Sequence, residues 1–414
     1  MAALKKKKIK KAAPKKKVVK KPIKKTVARP TKAKTGKKIK KTVVRKIVRK
    51  AAVKKIPLVS KKTPSLIKKF QGNPIIEPVA NSFWEGEAVL NPAAVVHNGR
   101  IHLFYRAMGG DGMSRIGYIS SKDGFHFEDR LPFPVYTAEN VEAAKSHHPY
   151  TSPARLVYNT DLYSSGGGWG GCEDPRAVKI DGRIYMTFNM FNGWNSMRVG
   201  FTSISEHDLT YKNWNWSPFA YLSRPGDRQK NWVLFPEKIN GKFALFYNLD
   251  KGDPSRVHIA YLDELDMNQT PSATEAPDPH VLPDHVVAWH HRTRSAAAPP
   301  IKTADGWLLF YHAMDKNDPD RYKVGAMLLD LKDPTKVLYR SSTPLLAPDE
   351  WYENDWKPGI VYASGAVIKD GTLFLYYGGG DKRIAVASAN LKEFIQQLKN
   401  NKPTIFSKKS VKKI

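Results

Sequence analysis

The sequence predicts an all-β protein, a five-bladed β-propeller preceded by a disordered Lys-rich N-terminal tail. Three observations lead there. One strand pattern recurs five times along the chain. The recurrences are spaced as small antiparallel sheets require. The excess positive charge is confined to the first 70 residues.

The chain has 414 residues and a formal net charge of +31. Residues 1–70 hold 30 Lys and Arg and no Asp or Glu, which leaves 39 basic and 38 acidic residues for 71–414. The protein therefore reads as a nearly neutral globular body behind a basic arm. Segments such as KKKKIKKAAPKKKVVKKPIKK bury too little apolar surface to offset chain entropy and self-repulsion, so disorder is expected for 1–70. Such an arm would bind nucleic acid or another polyanion non-specifically, by counterion release. No aromatic precedes Phe70, so base stacking is not expected.

Residues 71–414 carry the repeat. An Asn-Gly or Asp-Gly dipeptide is followed by an apolar strand ending in aromatics and then, in most copies, a polar residue. The copies are NGRIHLFYR, DGRIYMTFN, NGKFALFYN, DGWLLFYH and DGTLFLYYG, ending at Arg106, Asn189, Asn248, His312 and Gly378. A Gly-containing turn before such a run is the strongest short-range hairpin signal. A second β-rich run follows each copy and another strand candidate precedes several, giving three to four strands per unit. The steps between copies are 83, 59, 64 and 66 residues, the size of a propeller blade. A β-sandwich is the competing architecture. The long first step holds an insertion, roughly Asn140 to Gly168. LKEFIQQLKN (Leu391–Asn400) has the spacing of a short helix packing outside the sheets.

If these strands line a centre, their ends and following loops form a ring of Arg, Asn, His and Asp, with Asp111, Asn192, Asp250, Asp315 and Asp381 in the loops. Such a ring suits a polyhydroxylated ligand. Trp169, Trp194, Trp232 and Trp289 are candidate stacking faces for sugar rings, or inter-sheet packing. Just before the second copy lies GGCEDPRAV. Glu173 and Asp174 precede a proline and Arg176, which reads either as a held catalytic acid or as a structural Arg–carboxylate pair.

Five segments in order, NPAAVVHNGRIHLFYRA, GGCEDPRAV, NWVLFPEKINGKF, PPIKTADGWLLFYH and SGAVIKDGTLFLYYGGGD, together resemble glycoside hydrolase family 130, the β-mannoside phosphorylases and related β-mannosidases. The match runs from about Asn73 to Ala389. EDPR alone is a weak motif; the ordered set is strong. The resemblance implies a five-bladed propeller and an inverting cleavage of β-mannosidic bonds by phosphorolysis to mannose 1-phosphate. Asp174 would be the single acid, passing its proton through a sugar hydroxyl. Asn91, Arg106, Asp111, Arg176 and Asp381 match positions lining the mannose site. Lys230, His312 and Tyr322 match the phosphate side. Asn248 departs from the pattern, which generally has Arg or Lys there; Arg224, Arg228 and Arg292 are candidate substitutes.

The alternatives are an inverting β-mannosidase using water, with Glu237 or Asp381 as base, and a non-catalytic sugar- or polyanion-binding propeller. No cofactor is expected, with inorganic phosphate as a possible co-substrate. The single cysteine, Cys172, excludes an internal disulfide and a Cys-based metal cluster. His147-His148 and His290-His291 lack a spaced third ligand, so no metal is expected. No apolar run is long enough to span a bilayer, and the N-terminus lacks the apolar core of a secretory signal. These predict a cytoplasmic protein without a transmembrane segment.

Overall fold

The computed structural model describes residues 66–137, 168, 170–191, 197–226, 229–248, 257–270, 289, 292–315 and 318–400. The tail up to residue 65 and most of the first insertion lie outside this set, as do Trp169, Asn192, Trp194, Arg228 and Asp250.

The described residues form 20 strands, two α-helices and a 3-10 turn. Strand β1 (Lys68–Lys69) pairs with the last of the described strands. The first group comprises β2 (Ala88–His97), β3 (Arg100–Met108), β4 (Met113–Ser121) and β5 (Phe127–Glu128). The second comprises β6 (Gly170–Ile180), β7 (Arg183–Phe191), β8 (Met197–Ser205) and β9 (Ala220–Tyr221). The third has β10 (Val233–Leu234), β11 (Phe243–Asn248) and β12 (Val257–Leu262). The fourth has β13 (Arg292–Ala296), β14 (Ile301–Thr303), β15 (Gly306–Asp315), β16 (Asp318–Leu329) and β17 (Val337–Arg340). The fifth has β18 (Val361–Lys369), β19 (Thr372–Gly379) and β20 (Arg383–Asn390), with β1 at its edge.

Within groups the main pairing is antiparallel. The sheets number four, because groups one and two join into an eight-stranded sheet. The junction is a two-residue parallel contact, Met113 and Ser114 of β4 against Gly170 and Gly171 of β6. Gly171 has φ +100°, and a Cβ there would lie 2.2 Å from the Ser114 carbonyl oxygen, so the junction requires glycine.

The five repeated runs are β3, β7, β11, β15 and β19. Their near-continuous apolar character has a packing cause: both faces are buried, against different neighbours. Ile101, Leu103 and Tyr105 of β3 pack with Phe374 and Tyr376 of the fifth group, while Phe104 packs with Met186 and Phe188 of the second. Val178 and Val199 of the second meet Trp232 and Tyr247 of the third. Phe235 and Phe246 of the third meet Trp307 and Leu309 of the fourth. Leu308 and Phe310 of the fourth meet Leu373 and Leu375 of the fifth. Five apolar clusters thus lie between successive groups, including the last and the first.

Helix α1 (Glu206–Thr210) was not expected; Ser205 caps it by accepting from the Asp208 amide. Helix α2 (Leu391–Asn400) occupies the span read from its spacing and buries Phe394, Ile395 and Leu398. The folded part also begins before residue 71, since Ile67 is buried and Lys69 Nζ donates to Glu353 Oε2 at 2.7 Å.

The expected central strands need correction. The repeated runs are the second strands of their groups, or the third in the fourth group, where the short β14 precedes β15. In the fifth, first and second groups the first strands meet: Ser364 Oγ of β18 donates to the Pro92 carbonyl of β2 at 3.1 Å, and Asn91 of β2 bonds Asp174 of β6. Prolines and bulges made these first strands look less strand-like than their partners.

Candidate active site

The site begins with two matching backbone devices. In β2 the register against β3 shifts between Leu90 and Ala93. In β6 the register against β7 shifts between Glu173 and Arg176. Each is a β-bulge in which an Asx-Pro pair opposes one residue. Proline donates no ladder hydrogen bond and is tolerated there. Asn91 and Asp174 have φ +47° and +49°, a region that Asn and Asp enter more readily than most residues. The bulges turn both side chains to the same place.

There, Asp174 Oδ1 accepts from Asn91 Nδ2 at 2.6 Å and from Arg106 Nη1 at 3.3 Å. Asp174 Oδ2 accepts from Asn189 Nδ2 at 3.4 Å. The side chain remains 11% exposed. Burial alone would raise its pKa, but Arg106, Arg176, the Asn91 hydrogen bond and Lys230 outweigh burial and hold the carboxyl below the usual carboxylate range.

Glu173 has a different fate. It is buried in an ion pair with Arg106, Nη2 to Oε1 at 2.7 Å. Arg106 Nε donates to Ser114 Oγ at 2.9 Å. Burial would lower the Arg106 pKa; Glu173, Asp174 and Asp381 together raise it. The EDPR corner therefore contains the structural Arg–carboxylate pair, at Glu173, and beside it a carboxylate held by donors, at Asp174.

Arg176 is a buried organiser. Its Nη1 donates to the Asp174 carbonyl at 2.5 Å, its Nε to the Ala297 carbonyl at 2.8 Å and its Nη2 to Tyr362 Oη at 3.0 Å. One side chain thus ties the second, fourth and fifth groups. Tyr362 stacks on His312, with ring centroids 4.2 Å apart at 23°. Tyr322 is 6.2 Å from both rings. His312 is fully buried, with Nδ1 3.1 Å from Ser295 Oγ.

Asp381, in the β19–β20 turn, is paired with Lys357 at 2.9 Å. Asp111, in the β3–β4 turn, is more open and is held by Arg115. Glu237 forms an exposed pair with Lys302 at 2.6 Å. Arg224 Nε donates to the Thr270 carbonyl at 3.1 Å. Trp232 and Trp289 are core residues packed on Tyr247 and Tyr311. Among the described residues, no three His, Cys, Asp or Glu cluster to hold a metal ion, and no helix is long and apolar enough to cross a membrane.

Sequence reading missed Tyr362 and Lys357. It had Asn189 as a strand end, without its contact to Asp174. Tyr362 sits in VYASGAV, where nothing local separates it from a core tyrosine.

The site thus presents Asp174, held by the amide donors of Asn91 and Asn189 and by Arg106, beside the ion-paired Glu173. The family model described as β-1,4-mannooligosaccharide phosphorylase matches residues 53–400. The 1,2-β-oligomannan phosphorylase of Thermoanaerobacter sp. is 35% identical, over 79% of this chain and 98% of that protein. The β-1,2-mannobiose phosphorylase of the same organism is 33% identical, over 78% and 96%. The solved β-1,2-mannobiose phosphorylase from Listeria innocua, in complex with β-1,2-mannobiose, has a TM-score of 0.59 at 23% identity over 81% of this chain and 99% of that one, a likeness of fold. The chain belongs to glycoside hydrolase family 130.

Proposed function

We propose that the protein cleaves β-mannosidic bonds with inversion, by phosphorolysis, and releases mannose 1-phosphate. The observation that carries this reading is the state of the acids at the site. Asp174 is partly open and held by donors, whereas Glu173 is locked to Arg106 and Asp381 to Lys357. An inverting hydrolase needs a second carboxylate to activate water. A phosphorylase does not, because phosphate brings its own nucleophilic oxygen.

In this reaction a phosphate oxygen bonds to the anomeric carbon as the glycosidic C–O bond breaks on the opposite face. The leaving oxygen takes a proton supplied by Asp174. Hydrogenphosphate loses one proton on becoming the ester, and that proton restores the acid. The resting site favours ionised Asp174, since each carboxylate partner named above is a donor. A phosphate dianion near Lys230 and His312, with Tyr322 beside them, offsets part of the positive field. It thereby raises the proton affinity of Asp174 when the nucleophile is in place. Asn91, Arg106, Asp111, Arg176 and Asp381 are the proposed residues of the mannose side. No cofactor enters the scheme.

We read the five strand groups as blades of a five-bladed propeller. Support comes from the five interface clusters and from the contact of the last first-strand with β2. The names of the two Thermoanaerobacter relatives above support β-1,2-linked manno-oligosaccharides as the first substrates to try. The cytoplasm would supply the phosphate. The Lys-rich segment that precedes the folded part is proposed as a non-specific arm for nucleic acid or another polyanion.

The test uses the full chain with β-1,2- and β-1,4-linked manno-oligosaccharides, with and without inorganic phosphate. Mannose 1-phosphate formed only with phosphate is the expected result. Free mannose at a rate independent of phosphate would replace this reading with hydrolysis.

A further inference from the structure

We propose that Tyr362 is a positioning residue that couples the acid corner to the phosphate side of the site. The inference rests on the phosphorolysis reading and extends it to a residue outside the motifs. Tyr362 is on β18, immediately before the register shift between Ala363 and Gly365. Its hydroxyl accepts from Arg176 Nη2 at 3.0 Å, and its ring lies 5.4 Å from the Arg176 guanidinium carbon. The other guanidinium donors of Arg176 hold the carbonyls of Asp174 and Ala297. The opposite relation of the same ring is to His312, stacked at 4.2 Å. One side chain therefore touches both halves of the reaction. The hydroxyl fixes the arginine that fixes the backbone of Asp174. The ring fixes the imidazole expected to face phosphate. Burial raises the phenol pKa, so the residue stays neutral and serves by position.

The two contacts are chemically separable. Phenylalanine keeps the ring and removes the hydroxyl; leucine removes both. Losing a hydrogen bond to a charged donor corresponds to a rate factor of roughly 10–100 if the bond is tighter in the transition state. Tyr362→Phe is thus expected to lower kcat by about 10–100-fold with KM for phosphate within about 2-fold. Tyr362→Leu is expected to show that loss and, in addition, a KM for phosphate raised about 10-fold or more, as for a lost buried stacking contact.

The measurement is steady-state phosphorolysis by the full-length protein, with both substrates varied and thermal melts of each variant run in parallel. A merely structural tyrosine would lower Tm and active fraction while leaving KM for phosphate unchanged in both variants, and that result overturns the proposal. Wild-type kcat in Tyr362→Phe overturns the hydroxyl half. Free mannose from the wild type without phosphate dependence would overturn the phosphorolysis reading and the His312 half with it. The hydroxyl half would still be judged by kcat of Tyr362→Phe.

Discussion

Asn91-Pro92 in β2 and Asp174-Pro175 in β6 are the same device built twice. Both are bulges, both have an Asx residue near φ +48°, and both oppose an aromatic of the next strand between matched ladder pairs. Their surroundings differ. The first bulge is flanked by Leu90 and Ala93, both fully buried and apolar; the second by Glu173 and Arg176, buried and charged. The backbone supplies position in both cases. Charge is supplied in one. Asn91 is then free to act as an amide donor to Asp174, and the flanking ions of the second bulge hold Asp174 in place. Repetition makes the scaffold, and the exchange of one amide for one carboxylate sets the proposed acid apart from its partner.

The comparison breaks most severely if the second bulge is made like the first. Asp174→Asn keeps a residue that accepts positive φ, so the fold should survive. Turnover should fall by about 10²–10⁴-fold, the usual contribution of a positioned acid. The readout is mannose 1-phosphate formation together with the melt. Activity within a few-fold of wild type would remove Asp174 as the acid.

The converse exchange, Asn91→Asp, places a carboxylate where Nδ2 now lies 2.6 Å from Asp174 Oδ1. Two carboxylates so close cannot both ionise at little cost, so one proton is shared and an apparent pKa rises. Expected are a kcat/KM about 10-fold or more lower at neutral pH, a cost of at least about 1.4 kcal/mol, and an upward shift of the acidic group in the pH–rate profile. An unchanged profile would mean that Asn91 does not face the acid during turnover.

A smaller perturbation reaches the first bulge from behind. A Cβ on Gly378 would lie 2.2 Å from Asn91 Oδ1 and 3.0 Å from the Asn91 backbone nitrogen. Gly378→Ala must displace the bulge, at about 1–3 kcal/mol of stability, and should weaken the Asn91–Asp174 contact. Denaturant unfolding and kcat should fall together. Gly371→Ala, at φ +75° with open space around it, is the control that lowers stability and spares kcat.

How much of this was legible follows from what packing does to a sequence. The second strands were easy to read, because a Gly turn and burial on both faces leave a long apolar run such as LFLYY. The first strands were hard, since Pro92 and Pro175 argue locally against a strand; only the bulge reconciles them with the sheet. EDPR stood out because charge beside glycine and proline is unusual. Its division into a locked Glu173 and a held Asp174 depends on Arg106, 67 residues away. Tyr362 was invisible for the same reason: its meaning lies in Arg176 and His312, brought to it by two other groups. Trp232 and Trp289 failed as sugar faces because the gaps between sheets also need large side chains.

The subtlest prediction compares wild type with Asp174→Asn across pH. The folded protein holds Asp174 below the usual carboxylate range, burial being outweighed by Arg106, Arg176, Asn91 and Lys230. An unfolded Asp titrates near pH 4. The folded state therefore binds this proton less readily than the unfolded state. The resulting stabilisation is complete above about pH 4 and is lost as pH falls through the folded value. Asparagine has no such proton. Whatever the difference in Tm at neutral pH, wild type should lose stability relative to Asp174→Asn as pH drops below about 4. Between about pH 5 and 7 the difference should stay constant. Melts of both proteins from pH 7 to 3 measure it. A difference that stays flat through the acid range would mean that the donors around Asp174 do not favour its ionised form, and the contrast between the two bulges would then be one of shape alone.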